Sequence, residues 1–534
     1  MNRSRKPPEN QQIARFEPLW LAGLAACFAL ALVLRLYGQD FGADLDGPGT
    51  FRIVNFDEGG SCHAILGDFN YPRFLGYQML WIADLQGVTP QPAARGAKAA
   101  CHTRAMIAIQ RGYSAVAGAL SVVLLGLLAL LMWPQRPAIA WTACALLGAA
   151  NLHVAHSHWG TADVPQVFFT LLFTVTLALG IRGRSNALLW LSPILLIGAI
   201  WTKWYFFAVF AYAALLPGLD LRSSTVRTAA VALAAGLIAV CVFAWQPIVE
   251  QFENFSHLLW GRAESPFGTG YANIGTWRRW IRNAINLPLV HIVGLGLPAT
   301  LLAFHGARRA LGDRANRKLW LLQAPALVYA CYMFALGPVT YYRHYLPLFP
   351  TVALLAAFGF WESRFANRRW LLAAFAAYPL LLTLDSERAY ANDPRRAMRA
   401  WYGEHADARV LTSYYVVPPG GFGSAALFQM DRYLRDPRRY LASVDFVVLS
   451  ENWYDTAFAN ELNGPIVGNP EGLIKTKPEY TVAYRRILSG TDPNLTLDAE
   501  FDLHHATPEF LLHRSFYGSF QLFIGDLKVY RVVR

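Results

Sequence analysis

Apolar runs near the length of a membrane crossing recur along the first three quarters of the chain, and nothing else in it limits the fold as tightly. A bilayer core about 30 Å thick is crossed by roughly 20 mostly apolar helical residues. Such runs occupy 20–37, 113–133, 138–154, 164–181, 187–201, 205–219, 228–245, 285–304, 319–336, 345–361 and 370–384, a reading of about 11 transmembrane helices. Composition agrees: 55% of the 534 residues are hydrophobic and 15% charged, where a soluble domain carries about 25% charged residues. A water-soluble globule, a disordered chain and a collagen-like chain are excluded. The fold class expected is a polytopic α-helical membrane protein.

The formal charge of +12 then reads as topology. Arg3, Arg5, Lys6 and Arg15 precede the first run; Arg136, Arg182 and Arg184, Arg222 and Arg227, Arg308 to Lys318, and Arg364 to Arg369 fill every second loop after it. A positive-inside bias of this kind places the N-terminus and those loops in the cytoplasm. Nucleic acid need not be invoked as a partner; membrane lipids suffice. The first run lacks a clear small-residue cleavage site and ends at Arg35-Leu-Tyr37, so it reads as a retained anchor.

Three segments on the opposite face exceed simple turns: 38–112, 246–283 and the tail 385–534. Two domains are expected, 1–384 in the membrane and 385–534 outside it. In the tail, 393–405 has a helical pattern, while 409–416, 444–449, 480–487 and 521–533 read as strands, giving a small α/β or α+β domain. Of six cysteines, Cys27, Cys144, Cys241 and Cys331 lie in apolar runs. Cys62 and Cys101 share the first outer segment, either as a disulfide closing a loop of roughly 40 residues or as two separate buried thiols.

Candidate chemistry gathers on the outer side. Asp57 and Glu58 are adjacent carboxylates beside a membrane, where desolvation is expensive and such groups tend to mark function; the alternative is a solvated loop pair. His156, His158 and Asp163 sit at a span boundary and have donor atoms for a divalent metal ion, but their spacing matches no zinc signature. The simpler reading has Asp163 orienting another polar group. Arg111, Lys203, Arg343 and His344 share one membrane depth, suited to a lipid phosphate or to snorkelling into interfacial water. No nucleotide-loop, dinucleotide, serine-hydrolase or zinc-protease motif occurs in a suitable context.

These landmarks follow one another as Arg35-Leu-Tyr37, Asp57-Glu58, Tyr71-Pro72, Arg111-Gly-Tyr-Ser-Ala, His156-Ser-His-Trp-Gly-Thr-Ala-Asp163, Lys203-Trp204 and Arg343-His-Tyr-Leu-Pro347. Asp393 to Trp401 and Val444 to Ser450 follow in the tail. The series resembles the GT-C superfamily of membrane glycosyltransferases, in particular the dolichyl-phosphate-mannose protein mannosyltransferases (glycosyltransferase family 39) and their bacterial relatives. The chain departs from the pattern in a polar, aromatic insertion at 38–50 and in the stretch after Ser450.

The resemblance implies transfer of a hexose or pentose from a polyprenyl-phosphate-linked donor to a hydroxyl on the outer face of a bacterial inner membrane. The acceptor is a protein, a lipid such as lipopolysaccharide, or a wall glycan. A lipid phosphate is a good leaving group, so a carboxylate base with cationic stabilisation of the phosphate suffices. On that model Asp57 is the base, Glu58 orients, Asp163 positions a cation or helps hold a metal, and Arg343 and Lys203 lead Arg111 and His344 at the phosphate. One displacement implies inversion. Segment 246–283 would close over the substrates. The rival outside the enzyme class, a lipid-linked sugar flippase, would place charges deep inside broken spans.

Overall fold

The computed structural model describes residues 18–45, 51–53, 57–67, 71–90, 96–183, 185–203, 224–243, 276–335, 342–368, 370–413, 424–454, 478–503 and 525–534, with a few single positions between. The apolar run 205–219, most of segment 246–283 and the N-terminal basic residues lie outside the described residues.

The chain is a multi-pass membrane protein. Five helical stretches are long and apolar enough to cross a bilayer: α1 (Pro18–Leu36), α5 (Arg104–Met132), α8 (Asp163–Gly183), α9 (Asn186–Lys203) and Arg343–Trp361, which includes α14 (Phe349–Trp361). Two bent helix pairs raise the number to seven if each is one span. Among the described residues this is fewer than the eleven expected. Run 228–245 falls on α10 (Ser224–Phe243), run 319–336 holds the shorter α13 (Ala324–Ala335), and run 370–384 opens α15 (Trp370–Ala391), whose last turns carry Asp385, Glu387 and Arg388.

The bent pairs correct two runs read as single rods. Run 138–154 divides into α6 (Pro137–Gly148) and α7 (Asn151–Ser157), bent by 59°. Neighbouring side chains supply the lost hydrogen bonds: Thr383 Oγ1 donates to the Ala149 carbonyl (3.0 Å) and Arg35 Nη1 to that of Gly148 (3.4 Å). Run 285–304 divides into α11 (Thr276–Leu295) and α12 (Leu297–Ala310), bent by 119°. Here Gly296 adopts φ 91°, open to glycine, and Pro298 starts the next helix.

Between α1 and α5 the described residues fold as α2 (Gly60–Leu66), α3 (Arg73–Leu85) and α4 (Gly96–Cys101), with Cys62 and Cys101 joined in a disulfide. The tail holds α16 (Pro394–Glu404), β1 (Arg409–Thr412), β2 (Ser424–Leu427), α17 (Met430–Arg435), α18 (Pro437–Leu441), β3 (Phe446–Ser450), α19 (Pro478–Leu488), β4 (Leu495–Phe501) and β5 (Leu527–Val532). The sheet order is β2-β1-β3-β5-β4, parallel through β2, β1 and β3 and antiparallel at β5 and β4. Alternate side chains face opposite ways. Val410, Phe446, Val448 and Val529 join the same core as Tyr390, Met398 and the transmembrane helices. Leu411, Val447, Leu449 and Tyr530 pack against Tyr433, Leu441, Tyr484 and Ile487.

One tail reading changes. Residues 480–487 are helical within α19, because Thr481, Tyr484 and Ile487 are buried at a three-residue spacing and Glu479 and Arg485 suit the two ends of a helix dipole. The expected division at 384 falls inside α15, which runs without a break to Ala391. Beyond it, α16 grips the segment between α1 and α5. Asp393 accepts from the Gly42 amide (2.9 Å) and is clasped by Arg395, whose Nη1 donates to the Ile53 carbonyl (3.2 Å).

Candidate active site

Thr103 caps α5 by accepting from the Met106 amide (3.3 Å), which sets the phase that turns Arg111 inward. The Arg111 guanidinium is buried and makes four hydrogen bonds. Nε and Nη2 fork onto the Glu58 carboxylate (2.8 and 3.0 Å), while Nη1 donates to the carbonyls of Gln39 (2.6 Å) and Phe41 (2.8 Å). The Phe41 ring lies 3.5 Å from its central carbon. Glu58 Oε1 also accepts from the Gly160 amide (3.3 Å). That approach requires glycine, since a Cβ at 160 would lie 2.7 Å from the Gln110 Cβ.

Asp57, one residue earlier, is buried and paired with Arg343 (Nη2–Oδ2 2.8 Å). Arg343 comes from the 3-10 turn Tyr342–Leu348 that feeds α14, so the pair ties the segment between α1 and α5 to α14. Tyr71, before α3, donates its hydroxyl to Asp57. Burial first, then the nearby charges of Asp57 and Asp163, push the Tyr71 phenol well above its ordinary pKa, so it remains a donor throughout the neutral range. Asp163 opens α8, where the helix dipole favours a negative charge, and contacts Lys203 at the end of α9 as well as the Thr161 hydroxyl (2.9 Å).

Three buried carboxylates and three cations thus form one cluster on the ends of α2, α5, α8, α9 and the 3-10 turn. Of the residues singled out in the sequence, Asp57, Glu58, Asp163, Arg111, Lys203 and Arg343 come together. His344 sits next to Arg343, half-buried on the same turn, with its carbonyl accepting from the Tyr329 hydroxyl (2.8 Å).

The proposed metal trio does not converge. His158 is directed elsewhere: Nδ1 faces the Val154 carbonyl (3.0 Å), Nε2 the Tyr37 carbonyl (2.8 Å) and Glu387 (2.9 Å), and its ring stacks on Tyr390. Asp163 is taken by Lys203 and Thr161. The formal charges of the six-residue cluster cancel, leaving no net negative charge to hold a divalent ion, so these residues do not fit one. His156 stays close to the cluster, within the fields of Asp163, Arg343 and Lys203.

Sequence reasoning passed over Tyr71 as a catalytic group and did not identify Thr161 or the Gly160 amide. Tyr71 had a signal in its Tyr-Pro pair. The other two contribute through spacing alone, which becomes visible when α7 and α8 are placed.

No family model and no curated protein matches the chain. Among solved structures, it is similar to the Archaeoglobus fulgidus oligosaccharyltransferase, solved in complex with Zn and sulfate, at 13% identity and a TM-score of 0.45 over 82% of this chain and 69% of that one. It is also similar to ArnT from Cupriavidus metallidurans bound to undecaprenyl phosphate, at 14% identity and a TM-score of 0.43 over 83% and 94%. The apo form of that ArnT gives 12% identity and a TM-score of 0.44 over 82% and 94%.

Proposed function

We propose that the chain is a membrane glycosyltransferase of the GT-C kind. It would move a sugar from a polyprenyl-phosphate-linked donor to an acceptor hydroxyl at the outer face of a bacterial inner membrane. The observation that supports this reading is the contact between Asp57 and Arg343, a buried carboxylate beside a guanidinium of the kind that binds phosphate. In the bound donor the phosphate is a diester with one negative charge, matching a carboxylate as an arginine partner, and it gains charge towards a monoester dianion as its bond to the sugar breaks. Arg343 would therefore bridge the donor phosphate and Asp57, and shift to the phosphate as charge builds on it while Asp57 takes the acceptor proton.

In the step itself, the acceptor oxygen forms a bond to the anomeric carbon as the bond from that carbon to the phosphate oxygen breaks. The leaving electron pair stays on the phosphate, facing Arg343 and Lys203, and the acceptor proton passes to Asp57. A single displacement inverts the anomeric centre. Tyr71 orients Asp57, and Glu58, locked by Arg111, fixes the backbone from which Asp57 projects. Arg111 is occupied by Glu58 and two carbonyls, which makes it an anchor in place of the phosphate ligand suggested by its depth. On this reading residues 1–384 hold the reaction centre, and residues 385–534 lie outside the membrane and brace the first outer segment through Asp393 and Arg395.

The test is transfer of radiolabelled sugar from undecaprenyl-phosphate-linked donors by the full chain in proteoliposomes, wild type against Asp57→Asn. Transfer by the wild type, lost by at least a hundredfold in the variant, supports the reading. Full activity in Asp57→Asn removes the base assignment. Translocation of the sugar lipid without any transfer overturns the glycosyltransferase itself.

A further inference from the structure

His156 is a buried polar side chain beside this cluster that the mechanism leaves unused. Its ring is buried on α7, and neither Nδ1 nor Nε2 has a hydrogen-bond partner among the described residues. Buried polar atoms are nearly always paired, and an exception asks for an explanation. The ring is not a loose one, because Trp159 packs against it edge to face with centroids 4.7 Å apart. The charged groups whose fields reach it are engaged with one another, Lys203 with Asp163 and Arg343 with Asp57.

The chemistry of the vacant partners can be narrowed. A neutral imidazole presents one donor and one acceptor, and above about pH 7 an ordinary histidine is mostly neutral. A ligand satisfying both nitrogens must accept one hydrogen bond and donate another. Ionised phosphate oxygens only accept, as do carboxylates. A sugar hydroxyl does both, and two neighbouring hydroxyls present the two functions side by side. The ring also lies near Arg343 and Lys203, the cations assigned to the donor phosphate, and the transferred sugar is the group attached to that phosphate.

We infer that His156 hydrogen-bonds the hydroxyls of the donor's sugar and is a specificity-determining residue, separate from the phosphate-binding cations. This rests on the glycosyltransferase reading and deepens it.

The experiment uses the full chain in lipid nanodiscs. Binding of undecaprenyl phosphate is compared with that of undecaprenyl phosphate bearing mannose, glucose or arabinose, for wild type, His156→Phe and His156→Ala. The wild type is expected to prefer at least one sugar-bearing lipid by tenfold or more. Both variants should bind undecaprenyl phosphate within twofold of wild type and lose that preference, and added imidazole should restore it to His156→Ala. An unchanged preference in the variants overturns the inference. So does absence of any sugar preference in the wild type, or a loss shared equally by both kinds of lipid and not restored by imidazole. A wild type that binds no lipid phosphate overturns the glycosyltransferase reading as well, which distinguishes the two failures.

Discussion

Replacing Arg111 with Met keeps most of the side-chain volume and removes the guanidinium that holds Glu58. The buried carboxylate then retains the Gly160 amide at 3.3 Å, and the carbonyls of Gln39 and Phe41 lose their donor. Breaking a buried ion pair from one side costs about 3–5 kcal/mol, because the remaining charge is uncompensated. Each orphaned carbonyl adds roughly 1–3 kcal/mol where water cannot reach it. Adding Glu58→Gln removes the stranded charge while leaving the carbonyls as they are. The double variant should therefore be more stable than Arg111→Met by about 2–3 kcal/mol, a favourable coupling between two individually harmful changes. The assay is thermal unfolding of the purified chain in detergent. A polytopic chain does not unfold in one step, so the readout is the order of Tm: wild type, then the double variant, then Arg111→Met. If Arg111→Met melts with wild type, or the double variant melts below Arg111→Met, Glu58 is not held as described.

Three further outcomes are expected. Cys62→Ser with Cys101→Ser removes a crosslink across a separation of 39 residues, worth about 4 kcal/mol by chain entropy. Limited proteolysis should then cut the first outer segment, and an uncut segment refutes the estimate. Tyr71→Phe removes the hydroxyl donor to Asp57 and should lower kcat roughly ten- to hundredfold with KM little changed; a change confined to KM would place Tyr71 on the substrate instead. Gly160→Ala sets a methyl 2.7 Å from the Gln110 Cβ and pushes the amide from Glu58. It should cost about 1–3 kcal/mol, checked as a fall in Tm that Gly183→Ala, where a Cβ meets nothing within 4 Å, does not reproduce.

The long apolar runs and their charged flanks made the membrane class legible, since crossing a bilayer leaves a helix little choice of composition. The helix breaks were less legible: the α6–α7 bend depends on Thr383 and Arg35, which reach it from distant parts of the chain. Residues 480–487 look like a strand because Thr, Val and Tyr favour one, yet packing over the sheet selects a helix. At the site, residue types showed which groups were costly to bury and therefore worth watching. They could not show the pairing. Asp57 and Arg343 lie 286 positions apart in the sequence, and the packed helices bring them within 2.8 Å. The retained position of Arg111 is likewise a consequence of the Gln39 and Phe41 carbonyls, which carry no signal in their side chains.

The strand order of the tail bears on how the protein is made. Of the five strands, β5 leaves the ribosome last, yet it sits between β3 and β4, the two neighbours it bridges. Until residues 527–532 emerge, β4 has no partner among the described strands and β3 lacks its β5 neighbour. Translation can thread and pack the apolar helices in order, but the sheet of the tail has to wait for the strand that joins its two halves. Through that interval the nascent tail exposes strand edges that invite pairing with other chains, so its successful biogenesis depends on how soon synthesis of β5 follows β4.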